Sequence, residues 1–156
     1  MGVSILAVLG IQGRLMCNLL DGMVAVEGGK AEADGPFWNE APDRYADIAV
    51  LVGLGYGLAA PGLGWATACA AVLVAYTREL GAAQGLKPDF SGPFAKQHRM
   101  AILTGAAILA IFLPQIAGIA TLEIALWIVA IGSLATAIRR SQRMITTLRD
   151  APDRER

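Results

Sequence analysis

Apolar and polar stretches alternate along the chain. Five apolar runs extend roughly from Gly2 to Val26, Tyr45 to Ala60, Gly62 to Leu80, Met100 to Ala117 and Leu122 to Ile138. These approach or exceed the ~20 residues a helix needs to cross ~30 Å of hydrocarbon. They lack the period-two alternation of a membrane strand and are too long for one. The pattern predicts an all-α, polytopic membrane helix bundle with five transmembrane helices. It forms one membrane domain over residues 1–147, followed by a solvated cytoplasmic tail over 148–156.

The polar segments are Glu27–Arg44, Arg78–Arg99 and Arg139–Arg156. The connections near Pro61 and Gly118–Thr121 are short, with Glu123 the one charge there. Of 13 Lys and Arg residues, Arg14 alone lies outside the three polar segments. The positive-inside rule puts those segments in the cytoplasm, and the expected setting is integral to a bacterial inner (plasma) membrane. It also puts the amino terminus outside, although Met1 runs into an apolar stretch with no basic flank. No charged n-region marks a signal peptide, and Leu6 breaks the myristoylation pattern. The expectation is a start placed too late, with a preceding helix missing.

Composition agrees with that picture. The chain has 156 residues, enough for one domain, and is 55% hydrophobic and 17% charged. Soluble domains run at roughly 45–50% and ~25%, so disorder and a soluble αβ enzyme are both excluded. Net charge is zero, which leaves no basic field for nucleic acid. Cys17 and Cys69 lie in apolar runs and are too few for a zinc site.

Polar residues stand where they are costly. Arg14, Asn18, Asp21 and Ala25 fall at steps of four, three and four, so they share one stripe of the first helix. A charge at the centre of a membrane helix costs at least ~2.5–3.5 kcal/mol, so such residues face a bundle interior or a wet cavity. The second helix opens with Asn39, Glu40, Asp43, Arg44 and Asp47, of which Asn39, Asp43 and Asp47 share a face. Pro42 suits the first turn of that helix. A glycine-rich loop with Lys30 joins the two polar faces. Clustered carboxylates repel unless cations neutralise them. Oxygen donors without sulfur suggest Mg²⁺ or Mn²⁺, and hence a phosphate-bearing substrate. The same residues also suit helix caps and a solvated rim.

The run Asn18-Leu-Leu-Asp21-Gly22-Met-Val-Ala25-Val26, eight residues, then Gly35, Asn39 and Asp43, resembles the CDP-alcohol phosphatidyltransferase signature. That signature reads Asp-x2-Asp-Gly-x2-Ala-Arg, seven or eight residues, Gly-x3-Asp-x3-Asp. Asp21, Gly22, Ala25, Gly35 and Asp43 match at the right spacing. The resemblance implies an enzyme of phospholipid biosynthesis with six transmembrane helices, usually a homodimer. It would transfer a phosphatidyl-type group from CDP-diacylglycerol or a similar CDP-linked lipid to an alcohol acceptor, releasing CMP. It implies Asp21 as metal ligand, Asn18 and Asn39 as neutral ligands, and Asp43 as general base or ligand. Gly22, Ala25 and Gly35 would let the nucleotide approach the backbone closely, with Lys30 beside them.

Asn18, Asn39 and Val26 depart from the first aspartate, the third aspartate and the arginine of the signature. Two negative charges are lost, which predicts weaker metal binding or a single metal; Glu40 and Asp47 are near enough to compensate in part. The alternative is a catalytically silent member that binds CDP-lipid or a membrane partner. Arg78, at the end of the third run, is placed to reach a phosphate or to snorkel. Lys96 and Arg99 suit anionic lipid headgroups, and Arg139, Arg140 and Arg143 set topology. Gly53-x3-Gly57 matches a weak helix-packing motif.

Overall fold

A computed structural model describes residues 35–89, 92, 94 and 96–150. It contains four helices: α1 (Gly35–Gly57), α2 (Pro61–Ala83), α3 (Lys96–Phe112) and α4 (Thr121–Asp150). A two-stranded antiparallel hairpin, β1 (Gln115–Ile116) and β2 (Ile119–Ala120), links α3 to α4. The first predicted stretch, Gly2–Val26, lies outside the described residues. The other four correspond to the four helices.

Three boundaries differ from the sequence expectation. Helix α1 begins at Gly35, so Pro42 sits inside it and not in its first turn. The ring removes one intrahelical hydrogen bond there, to the carbonyl of Trp38. The Met100–Ala117 run is helical only to Phe112. Pro114 disfavours helix at Leu113, and the chain turns back through the hairpin. Helix α4 continues past Ile138 to Asp150. The residues beyond Ile138 include the good helix formers Arg, Gln, Met and Leu, which carry the helix out of its apolar run.

Helices α2 and α4 pack along each other, α1 lies against α2, and α3 lies against α4. The core is Leu51 from α1, Ala68 and Ala71 from α2, Met100 and Leu103 from α3, and Ala125, Leu126 and Val129 from α4. Small residues set the close approaches. A Cβ on Gly55 would stand 2.6 Å from the Cα of Gly64, so α1 and α2 touch backbone to backbone just beside their connection. Gly53 and Gly57, the motif expected to pack, have open space where a Cβ would be. Gly132 of α4 is covered by the ring of Phe94 in the same way that Gly55 is covered by Gly64.

Surface polarity is inverted relative to a water-soluble domain. Ile108, Leu109, Phe112, Trp127, Ile128, Ile131, Leu134 and Ile138 are exposed, whereas Asp43, Asp47, Arg99, Thr67, Ser133, Thr136 and Arg140 are buried. The buried hydroxyls of Thr67 and Thr136 donate to the carbonyls of Leu63 and Gly132, one turn back, at 2.7 and 2.8 Å. Among the described residues, α4 is the one helix long and apolar enough to cross a bilayer; the apolar part of α3, Gln97–Phe112, is shorter.

One buried ion pair joins α1 to α3. Arg99 Nη2 donates to Asp47 Oδ2 at 2.9 Å, with the two side chains 1% and 2% exposed. Arg99 Nη1 also donates to the carbonyl of Phe94 at 3.0 Å, which ties the segment before α3 to the same group.

Two outcomes follow from this packing. Gly55→Val should lower stability by about 1–3 kcal/mol, because the added atoms meet backbone that cannot move aside, whereas Gly53→Val should be near neutral. Thermal unfolding in detergent checks both. Asp47→Asn or Arg99→Met should each cost about 3–5 kcal/mol by stranding a buried charge. The double replacement Asp47→Leu with Arg99→Met should cost less than the sum of the two single losses, measured by the same unfolding assay.

Candidate functional site

The site is built on the first four turns of α1. Positions 39, 43 and 47 fall on one face, and 40 and 44 on the adjacent one. Asp43 is 8% exposed and Asp47 2%, so this polar face is turned into the bundle. Buried carboxylates persist only when matched, and the match here is arginine. Arg44 stands 3.3 Å from Glu40, 4.0 Å from Asp43 and 3.9 Å from Asp47. Arg78 of α2 reaches Glu40 at 2.6 Å and also pairs with Glu79 at 2.8 Å. Arg99 of α3 holds Asp47. Three carboxylates of α1 therefore meet three guanidiniums drawn from three helices.

A second basic element closes the same end. Arg140 of α4 is 6% exposed and donates to the carbonyl of Val74 in α2 at 3.0 Å. It lies within electrostatic reach of Arg78, Arg99 and Asp89. Arg143, one turn on, stands 3.8 Å from Asp89. Lining α1 and α2 on the outward side is a groove of about 280 Å³ formed by Phe37, Glu40, Arg44, Tyr76 and Glu79 with small apolar neighbours.

The residues expected from sequence distribute as follows. Asp43, Glu40, Asp47 and Arg78 come together at one end of the bundle. Asn39 lies in α1 one turn before Asp43. Gly35 is the first residue of α1, and a Cβ there would meet nothing within 4 Å. Asn18, Asp21, Gly22, Ala25 and Lys30 lie outside the described residues. Glu40 and Asp47, expected to lend charge to a metal, are each in close contact with arginine. Among the described residues no group of three or more His, Cys, Asp or Glu side chains is placed to hold a metal ion. The described donor set is oxygen-only, which suits a hard dication, and Asp43 is the member at a signature position.

Two residues read from sequence as surface groups prove to be interior. Arg99 was expected at lipid headgroups, yet it is almost fully buried. Arg140 was expected as a topology determinant, yet it enters the bundle. Both lie on stripes that the sequence does carry. In α4 the buried positions Val129, Ser133, Thr136 and Ala137 lead by helical steps to Arg140. In α3, Arg99 begins the stripe that continues through Met100, Leu103 and Ala107. Arg44, the hub of the cluster, was legible only as one more charge at the opening of the helix.

Comparison with known proteins adds an independent line. No family model matches the chain. The phosphatidylinositol phosphate synthase of Streptomyces avermitilis is 31% identical over 145 residues, 87% of this chain and 58% of that protein. The enzyme of the same name from Mycolicibacterium smegmatis is 31% identical over 144 residues, 85% of this chain and 62% of that protein. The chain thus spans about three fifths of the length of these curated relatives. The crystal structure of Mycobacterium tuberculosis phosphatidylinositol phosphate synthase with CDP-DAG bound has the same fold, with a TM-score of 0.72 at 21% identity, over 92% of this chain and 85% of that one. Signature spacing, similarity in sequence and a like fold point the same way: the chain is similar to phosphatidylinositol phosphate synthases over most of its length, and its signature resembles that of the CDP-alcohol phosphatidyltransferases.

Proposed function

We propose that the chain is an integral membrane enzyme that transfers a phosphatidyl group from a CDP-linked lipid to a phosphorylated alcohol, releasing CMP. The observation that carries this reading is the buried Asp43 at the last signature position, 4.0 Å from Arg44 and at the end of the bundle where Arg78, Arg99 and Arg140 gather. The relatives named phosphatidylinositol phosphate synthase, and the CDP-DAG bound in one of them, support CDP-diacylglycerol as donor and an inositol phosphate as acceptor. The inverted surface supports the membrane setting: four helices expose aliphatic and aromatic side chains and gather their charges at one end. On this reading each of α1 to α4 would cross the bilayer, with a further crossing by the apolar run Gly2–Val26, and the charged end would face the cytoplasm by the positive-inside rule.

The chemistry asks little of the protein beyond positioning and charge. The acceptor hydroxyl oxygen forms a bond to the phosphatidyl phosphorus, the bridging P–O bond to CMP breaks, and the hydroxyl proton passes to Asp43. Burial of Asp43 brings the carboxylate into a partly desolvated place where it acts as base. The guanidiniums of Arg78 and Arg140 supply bidentate donors of the shape that phosphate oxygens accept. A divalent cation, Mg²⁺ or Mn²⁺, would be held by Asp21 with Asn18 and Asn39, with Asp43 kept as base, and would neutralise the donor diphosphate. Glu40 and Asp47 are left out of that set because arginines already match their charge. A homodimer is the assembly that the family resemblance favours.

A second reading has its own observation. With Asn at positions 18 and 39, and Glu40 and Asp47 engaged by arginine, the charge left for a dication is small. That favours a silent member that binds CDP-lipid without turning it over.

The deciding assay is CMP release by the full chain with CDP-diacylglycerol, Mn²⁺ or Mg²⁺, and inositol phosphate, glycerol phosphate, inositol or serine. The expected result is metal-dependent CMP with a phosphorylated acceptor, abolished by Asp43→Asn while Tm in detergent stays within a few degrees. Wild-type-like turnover in Asp43→Asn would remove Asp43 as base. CDP-lipid binding with no CMP from any acceptor would favour the silent reading.

A further inference from the structure

We infer that the hairpin between α3 and α4 is a membrane-seated tip, held at the hydrocarbon–headgroup boundary of the leaflet opposite the charged end, with the lipid surface as its partner. The inference rests on the membrane reading proposed above. No Asp, Glu, Lys, Arg or His occurs between Arg99 and Glu123. At the far end of that interval Phe112 is 80% exposed, and Leu113, Ile116 and Ile119 are exposed beside it. In water this would be a contiguous apolar patch with no described residue covering it.

The length of α3 explains the position. From Met100 to Phe112 the helix rises about 20 Å, some 10 Å short of the ~30 Å hydrocarbon thickness. The hairpin makes up the difference. Its surface is also continuous with the exposed apolar faces of α3, at Ile108 and Leu109, and of α4, at Trp127, Ile128 and Ile131. One occupant, the bilayer, covers all of them at once.

The backbone is prepared for a poorly hydrated site. Ile116 pairs with Ile119 and Gln115 with Ala120 across the hairpin. The Leu113 carbonyl accepts from the Thr121 hydroxyl, and the Pro114 carbonyl accepts from the Thr121 N–H at 3.1 Å. Unsatisfied carbonyls are what hydrocarbon forbids, and these are satisfied from within. The turn itself is Ala117-Gly118, both at positive φ, 53° and 82°. Water-facing hairpins of this geometry favour Asn or Asp at the first position, and here an apolar Ala takes the strained place. Glu123 fixes the depth. Helical side chains tilt toward the helix N-terminus, which in α4 points toward the hairpin. Its carboxylate therefore points toward the headgroup side, which keeps the hairpin at the boundary and away from the bilayer centre.

Single-tryptophan variants test this. Trp38, Trp65 and Trp127 are replaced by Phe in the full chain, and one Trp is introduced at Ile116 or, for the mid-bilayer level, at Ile128. Each is reconstituted into phosphatidylcholine–phosphatidylglycerol vesicles brominated at shallow or deep acyl carbons. Ile116→Trp should be quenched more by shallow than by deep bromines and little by acrylamide; Ile128→Trp should show the reverse depth preference. Ile119→Trp provides the same reading should Ile116→Trp fail to fold. An Ile116→Trp that acrylamide quenches, with Ile128→Trp quenched by bromolipid, overturns the hairpin inference and leaves the membrane reading intact. An Ile116→Trp shielded from both quenchers overturns it in favour of a protein cover. No bromolipid quenching at either position overturns the membrane reading itself.

Discussion

The arrangement at the charged end depends on the contact between Asp47 and Arg99. Two charges removed from water cost several kcal/mol each, and only a close, hydrogen-bonded partner returns that cost. At 2.9 Å, with a further bond from Arg99 to the Phe94 carbonyl, the pair meets that condition. It fastens the start of α3 to the fourth turn of α1 and brings the segment at Phe94 down onto α4, where the ring covers Gly132. It also decides what Asp47 can do. A carboxylate committed to a buried guanidinium is not an available metal ligand, although its spacing from Asp43 made it look like one. Asp43, one helical turn away, is left as the carboxylate at a signature position in the described part of the site.

The other arginines extend the same logic. Arg78, Arg99 and Arg140 come from three different helices and repel one another within a low-dielectric end of the bundle. Glu40, Asp47 and Asp89 offset part of that repulsion. A phosphorylated substrate would offset more, since phosphate brings negative charge and several acceptor oxygens to guanidinium donors. Arg78 and Arg99 are thus held by internal carboxylates and Arg140 by the Val74 carbonyl, so their placement does not depend on a bound anion.

Sequence disclosed the helices more readily than the pairing of their charges. The steps among Asn39, Asp43 and Asp47 placed them on one face, and Asp43 and Asp47 are buried as periodicity requires. Arg140 was legible in principle, because the buried stripe of α4 runs onto it. The partner of Asp47 was not, since Arg99 lies 52 positions away and nothing local distinguishes it from its neighbours Lys96 and His98. The connection at Gly118–Thr121 was legible, but its start at Leu113 was hidden for another reason: hydropathy does not register a break in direction when the residues on both sides of it are apolar. Pro114 and the Ala117-Gly118 pair were the signals, and an unbroken apolar run outweighed them. Gly53 and Gly57 misled in the opposite sense, because spacing specifies a stripe but not the neighbour. The backbone contact is at Gly55 and Gly64, fixed by the short connection between α1 and α2.

The distribution of charge gives the bundle its direction. All buried ion pairs among the described residues lie at the end where α1 begins and α3 begins, and the opposite end carries Glu123 alone. A transporter would need polar groups along its length to lower the barrier to a permeating solute. Here α3 has no charge after Arg99, and the hydroxyls of Thr67 and Thr136 donate to their own helices. Such a gradient suits the proposed reaction, in which one substrate is anchored in lipid and the other arrives from water, and which would take place at the charged helix ends.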